Sequence, residues 1–304
     1  MEEKRFNKRT QYDARRQIEW HLEEVQKKAD EMGQRPVKIT RLRNGRSIMR
    51  FPLFSTKYAR NGRQQEGIQY SDSVNGVSFR ITPNAEHGMP DQVDGNLIRL
   101  VVSKAREIHY SMGICPSSIH LKRFEILQEL GLSSGGNDYQ ALHERLGRIS
   151  GTLYEGNIFY KDKIFSGPLI TFSWPNDNDP NGVITIDLNK QFKDYLDQEK
   201  SVLAIPDEIM KLQSPLEIRL RELIQVHLGK GKSSWSIGFV RLAELCQITS
   251  PPKVFKRTLK GLPIPYFIDF SGGRKLADQV VKFTVKERQP NSIVPIIDAL
   301  AGER

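Results

Sequence analysis

Four cations near the C-terminal third of the chain recur at helical spacing. In Ser250-Pro-Pro-Lys-Val-Phe-Lys-Arg-Thr-Leu-Lys-Gly-Leu262, the residues Lys253, Lys256, Arg257 and Lys260 fall at i, i+3, i+4 and i+7, which share one face of a 3.6-residue helix. Phe255, Leu259 and Leu262 line another face. The pattern predicts a helix from Pro252 to Gly261. Ser250 is positioned to cap its free donors, a proline is tolerated in the first turn, and glycine ends the helix at little cost. One face is thus free to pack while the other carries cations with no acid among them. Such a helix suits a polyanion; a merely solvated basic face is the competing expectation.

Other chemistries find less to work with. Gly229-Lys-Gly-Lys-Ser-Ser234 contains Gly231-Lys-Ser233, but a phosphate loop needs glycine five positions earlier, where Val226 stands. The segment is expected to be a polar turn. The histidines include no His-x-His or His-Glu-x-x-His pair, so metal-dependent strand cleavage has no visible ligand set. No Gly-x-Ser-x-Gly elbow is present, and Cys115 and Cys246 stand far apart without a motif around either. No enzyme activity, metal or cofactor is expected.

The basic helix needs elements to hold it. Gly238 to Cys246 has apolar positions at Phe239, Leu242, Ala243, Leu245 and Cys246, which predicts a helix, and Gln247 to Ser250 then form a short turn. Helix, turn and basic helix make the helix-turn-helix pattern, whose second helix enters the DNA major groove. Here Gln247 stands in the turn where glycine is common. Upstream, Leu216 to Leu228 predicts a helix and Trp235 to Ile237 a strand. Downstream, Tyr266 to Phe270 and Val280 to Val285 alternate as a hairpin with Arg274 and Lys275 at its tip. An earlier stretch has the same order: a helix from Gly95 to Tyr110, a strand at Ser118 to Lys122, and helices at Arg123 to Leu130 and Asp138 to Ser150. Strand segments follow at Thr152 to Glu155, Leu169 to Ser173 and Val183 to Leu188. Helix, strand, helix, turn, helix and hairpin is the order of a winged helix.

The expected fold is therefore α+β, with two tandem winged-helix domains preceded by a basic N-terminal helix and arm. The expected divisions are a basic helix and arm over 1–63, a first winged-helix domain with its connector over 64–213, a second over 214–288, and a tail over 289–304. Charge follows them. The 304-residue chain carries a net +10; residues 1–63 hold 17 Lys+Arg against 8 Asp+Glu, residues 64–213 hold 14 against 20, and residues 214–288 hold 14 against 6. Cations clustered at both ends of an acidic block point to nucleic acid or an anionic membrane. Within the arm, residues 33–63 are expected to run extended, as a DNA contact or a linker. In the first domain Asn137, Tyr139, Arg145 and Arg148 are candidate further contacts, on a block that is acidic overall. No apolar run is long enough to span a bilayer, and the cysteine usage suits a reducing compartment, so a cytoplasmic protein is expected.

One set of segments resembles a known family. Phe51-Pro-Leu-Phe54, Gly88-Met89, Gly131-Leu-Ser-Ser-Gly-Gly-Asn-Asp-Tyr-Gln-Ala-Leu-His-Glu-Arg-Leu146 and Ser150-Gly-Thr152 occur in the order found in the replication initiator protein A family of bacterial plasmids. In that family a Gly-Gly-x-Asp-Tyr stretch opens the corresponding helix; Gln92-Val-Asp94 departs from it, because an aromatic residue usually precedes the acid. The resemblance covers about residues 51–165, and the second domain by architecture. It implies tandem winged helices that bind repeated sequences (iterons) in the double-stranded DNA of a plasmid origin, melt nearby DNA, and recruit the host replicative helicase. It also implies a homodimer in equilibrium with monomer. A winged-helix transcriptional repressor without a replication role is the alternative.

Overall fold

The computed structural model describes residues 43–57, 66–73, 75–160, 162–175, 182–198, 202–204, 207–228 and 232–286. Residues 1–42 of the expected basic helix and arm and the tail from 289 lie outside them. The described chain is a mixed α/β structure. It begins with β1 (Arg43–Gly45) and α1 (Arg46–Arg50), then β2 (Ile68–Asp72), β3 (Val77–Thr82), α2 (Gly95–Met112), β4 (Ser118–Lys122), α3 (Arg123–Glu129) and α4 (Gly136–Ser150). β5 (Leu153–Gly156), β6 (Phe165–Gly167), β7 (Ile170–Ser173), β8 (Val183–Leu188), α5 (Lys190–Gln198), β9 (Val202–Ala204) and α6 (Asp207–Lys211) lead to the second half. That half runs α7 (Pro215–Leu228), β10 (Ser234–Gly238), α8 (Phe239–Leu245), α9 (Pro252–Gly261), β11 (Tyr266–Gly272) and β12 (Gln279–Val285).

One supersecondary order does occur twice. In α2-β4-α3-α4-β7-β8 and in α7-β10-α8-α9-β11-β12, the last strand lies in the middle of a three-stranded antiparallel sheet, with orders β4-β8-β7 and β10-β12-β11. The strand before the helix pair therefore closes against the returning hairpin. Alternation explains the register: in β12 Val281 and Phe283 are buried while Lys282 is exposed.

The first half differs from expectation at Thr152 to Glu155. These residues do not join the hairpin. β5 pairs with β3 and β6 in a separate sheet, order β2-β3-β5-β6. Tyr154 on β5 is fully buried and pairs with Ile81 of β3 and Gly167 of β6, a strand the sequence pattern does not predict.

The basic arm also differs. From Arg43 to Lys57 it is not a free extended arm: β1 pairs with β9, α1 follows, and Met49, Pro52, Leu53 and Phe54 are buried. The aromatic ring of Phe51 meets Tyr70 and Phe79 at centroid distances of 6.0 and 6.2 Å. The apolar residues interleaved with the cations explain the outcome, since each buried Leu or Phe side chain contributes about 1.5–3 kcal/mol. Gly95 permits the close approach: a Cβ there would come 2.8 Å from the Phe54 ring.

Two buried arginines join this segment and the two halves. The Arg219 side chain, fully buried on α7, donates to the carbonyls of Met49 (2.6 Å), Arg50 (2.9 Å) and Leu245 (3.0 Å). Arg99 on α2 pairs with Glu222 on α7 at 2.7 Å and also donates to Gln92 and Asn96. Buried guanidinium donors matched to carbonyls and a carboxylate are satisfied, whereas either partner alone would be costly. The α7 end of the second half is thereby fastened to the first half and to the 43–57 segment.

Candidate nucleic-acid interface

α9 lies where the cation spacing predicts it, and its foundation is apolar. Phe255 and Leu259 are buried; Phe255 packs on Phe239 of α8 at 5.4 Å between ring centroids. The start of the helix differs from expectation in one detail. Ser250 makes no cap; Pro251 is the N-cap, and its carbonyl accepts from the backbone N–H groups of Val254 (2.9 Å) and Phe255 (3.1 Å).

The preceding turn explains how a glutamine replaces glycine. Gln247 sits in the left-handed region with φ 54°. That conformation is uncommon for a residue with a Cβ. Its side-chain Nε2 donates to the Pro52 carbonyl at 2.9 Å, and its N–H donates to the Glu244 carbonyl at 3.0 Å. The turn is therefore held by the buried 43–57 segment rather than by backbone freedom. Nearby, Arg241 of α8 donates to the Tyr70 hydroxyl at 2.7 Å and to Asp72, both on β2, and pairs with Glu244 at 3.0 Å.

The four cations of α9 do not share one environment. Lys253, Arg257 and Lys260 are exposed, and Arg257 lies opposite the Phe255–Leu259 face. Lys256 is half-buried: its Nζ donates to Gln279 Oε1 at 2.7 Å and lies 4.4 Å from the centroid of the Phe270 ring. Lys260 stands 5.7 Å from the same ring. The hairpin thus takes one cation as a strut and leaves three facing out. Arg274 and Lys275 are exposed in the connection between β11 and β12. Gly272, with φ 103°, begins that connection where a Cβ would meet the Asp278 carbonyl at 2.6 Å.

In the first half, the expected residues divide differently. Asn137 is exposed in the first turn of α4. Tyr139 is half-buried, with the Arg123 guanidinium 5.6 Å from its ring centroid, and its hydroxyl is buried with no hydrogen-bond partner among the described residues. Arg145 and Arg148 do not face outward as expected. Arg148 makes two hydrogen bonds to Asp94, at 2.8 and 3.0 Å, and Arg145 lies 3.9 Å from the same carboxylate. Arg148 is held charged more firmly than usual: burial opposes its charge, but Asp94 hydrogen-bonds to it and outweighs burial, with Asp91 adding to the attraction. Asp91 itself is pushed up to about 6, chiefly by burial and then by the neighbouring Asp94 charge. These arginines brace α4 against the loop that opens α2.

Two residues on the outward side of α9 were missed from sequence. Val254 is 38% exposed, and Thr258 is exposed with its hydroxyl donating to the Val254 carbonyl at 3.1 Å. The i, i+4 spacing of Val254 and Thr258 was the available signal.

Neither cysteine offers a nucleophile. Burial pushes the thiol of Cys246 up to about 12 and that of Cys115 up to about 11, so both remain neutral packing groups. Among the described residues, no group of three or more His, Cys, Asp or Glu side chains is placed to hold a metal ion. No described helix is long and apolar enough to cross a membrane.

Comparison with known proteins adds to this geometry. Residues 43–264 match the family model described as replication initiator protein A. A protein of Wigglesworthia glossinidia brevipalpis described as "Putative replication protein" is 27% identical over 235 residues, covering 74% of this chain and 82% of its own length. The crystal structure of domains 2 and 3 of RctB superposes with a TM-score of 0.55 at 12% identity, over 80% of this chain and 99% of that one, which shows a shared fold.

Proposed function

The chain belongs to the replication initiator protein A family, and from that premise we propose that it binds repeated sequences in double-stranded origin DNA through two winged-helix domains, over 64–213 and 214–288. The observation that carries the proposal is the outward face of α9. There Lys253, Arg257 and Lys260 stand exposed on a helix whose opposite face is anchored by Phe255 and Leu259.

In this reading α9 lies in the major groove. Arg257, farthest from the protein core, is the side chain able to fork onto the O6 and N7 of guanine. Lys253 and Lys260 contact phosphates along its hairpin-side flank. Lys256 has a supporting role, because its ammonium is already engaged by Gln279 and Phe270. Arg274 and Lys275 hold the wing to the backbone. Asn137 at the start of α4 is an auxiliary contact of the first domain, while Tyr139, Arg145 and Arg148 set the position of that helix. Origin opening, recruitment of the host helicase, a plasmid setting and a monomer–dimer equilibrium in the bacterial cytoplasm complete the proposal, supported by the family.

The salt dependence of binding to origin DNA tests the groove assignment. Each phosphate contact contributes about −0.9 to the slope of log affinity against log salt. The Lys253→Ala/Arg257→Ala variant should bind more weakly and with a slope shallower by roughly 1. Unchanged binding by this variant would remove α9 from the interface. Replication of a plasmid carrying only this gene and its adjacent repeats tests the initiator role, and failure there with intact DNA binding would favour a repressor.

A further inference from the structure

Two uncharged side chains and a glycine flank Arg257 on the side away from the hairpin. At 3.6 residues per turn, Val254, Thr258 and Gly261 lie along that flank, while Lys253, Lys260 and Lys256 lie along the other, where Lys256 and Lys260 approach Phe270 and Lys256 donates to Gln279. Val254 is 38% exposed. The Thr258 hydroxyl is turned back to the Val254 carbonyl at 3.1 Å, which leaves its methyl as the outward group. A Cβ on Gly261 would meet nothing within 4 Å, so this end of the flank is open and flat.

The residue types are informative. Val and Thr are poorer helix formers than Lys, Gln, Glu or Ala, because branching at Cβ restricts the side chain against the preceding turn. On a face where Val254 is 38% exposed and Thr258 exposed, two of them one turn apart sacrifice helix stability for only partial burial of apolar surface. Apolar surface in the major groove has one partner among the four bases, the 5-methyl of thymine. A polar or charged side chain at these positions would instead address the hydrogen-bonding edges.

We propose that Val254 and the Thr258 methyl form a thymine-reading edge beside Arg257, so that α9 specifies guanine together with a thymine within a base pair or two, through the thymine 5-methyl group. The inference rests on α9 occupying the major groove. Lys253 and Lys260 then supply affinity that is indifferent to sequence, and the two sides of the helix divide the work: phosphate on the hairpin side, base identity on the other.

The experiment uses the full chain and the tightest-binding duplex selected from a random-sequence pool, prepared with each thymine replaced in turn by deoxyuridine, which removes only the methyl. At one or two positions the replacement should weaken wild-type binding by about fourfold, the value of one buried methyl-sized group. Val254→Ala should bind the thymine duplex more weakly by a similar factor and lose the discrimination against deoxyuridine. Val254→Ile should retain that discrimination. Because Val254 is exposed, its thermal midpoint serves as a check that Val254→Ala remains folded. If every deoxyuridine duplex binds the wild type as tightly as the thymine duplex while Arg257→Ala still weakens binding, the methyl-reading edge is overturned and the groove assignment stands. If Arg257→Ala is also without effect, both are overturned.

Discussion

α4 and α9 occupy corresponding places in the two repeats, each the second helix of a pair and each followed by a hairpin, yet their cations are used in opposite ways. Arg145 and Arg148 on α4 converge on Asp94, a residue from the loop before α2. Arg257 on α9 has no such acid among the described residues, and the neighbouring strand offers Gln279 and Phe270 to Lys256 instead. Equal charge on a helix therefore has no fixed meaning. A carboxylate delivered by a distant loop converts arginines into internal braces; a glutamine and an aromatic ring in its place leave the surface basic.

The largest test of this contrast is Arg148→Ala. Removing Arg148 leaves the buried Asp94 carboxylate with only the more distant Arg145, 3.9 Å away, and the loss should be about 3 kcal/mol in denaturant unfolding. The salt slope of DNA binding by the folded fraction should stay at the wild-type value. Arg257→Ala should invert the result, costing about 2 kcal/mol in DNA affinity, the scale of one forked guanine contact, with an unfolding midpoint close to wild type. Equal stability losses in the two variants would abolish the distinction.

A smaller effect concerns pH. The Asp91 carboxyl is raised to about 6 in the folded chain, above its ordinary value. The folded state therefore holds that proton more tightly than the unfolded chain. Its stabilising contribution is complete at pH below the unfolded pKa and is lost as pH rises through about 6. Compared with Asp91→Asn, the wild type should gain about 2 kcal/mol between pH 7 and pH 4. A constant difference between the two proteins across that range would contradict the burial of Asp91 beside the Asp94 charge. Variants of α9 should keep the wild-type profile.

The smallest expected change is at the turn that sets α9. Gln247→Ala keeps the left-handed conformation but loses the hydrogen bond to Pro52, at a cost of about 1 kcal/mol. Gln247→Gly loses the same bond while relieving the backbone, so its cost should be lower. If the glycine variant is the less stable of the two, the tether to Pro52 does not explain why glutamine is tolerated.

Much of this architecture was legible because its signals are local. The periodicity of Phe255 and Leu259, the alternation in Val280 to Val285 and the glycines around the hairpin tip located α9 and its neighbours to within a few residues. The double occurrence of one element order was equally visible. Less visible was the assignment of Thr152 to Glu155, because a strand's partner is chosen by sheets formed far away in sequence; β5 pairs with β3 across more than sixty intervening residues. The 43–57 segment was misjudged for a related reason. Its cations suggested solvent, but Leu53 and Phe54 find their partners only when β2, β3 and α2 come together.

For the candidate site, the sequence by itself determined which faces of α9 are apolar and which are basic, since side-chain direction follows helical geometry. It also located Arg274 and Lys275 between two strands. Only the tertiary structure decided which cations remain available. That decision depends on Asp94, Gln279 and Phe270, residues whose distance from the helices along the chain says nothing of their distance in space. Charge is a property of a residue, but its availability is set by the few ångströms around it, because Coulombic and hydrogen-bonding interactions fall off steeply beyond direct contact in a solvated protein.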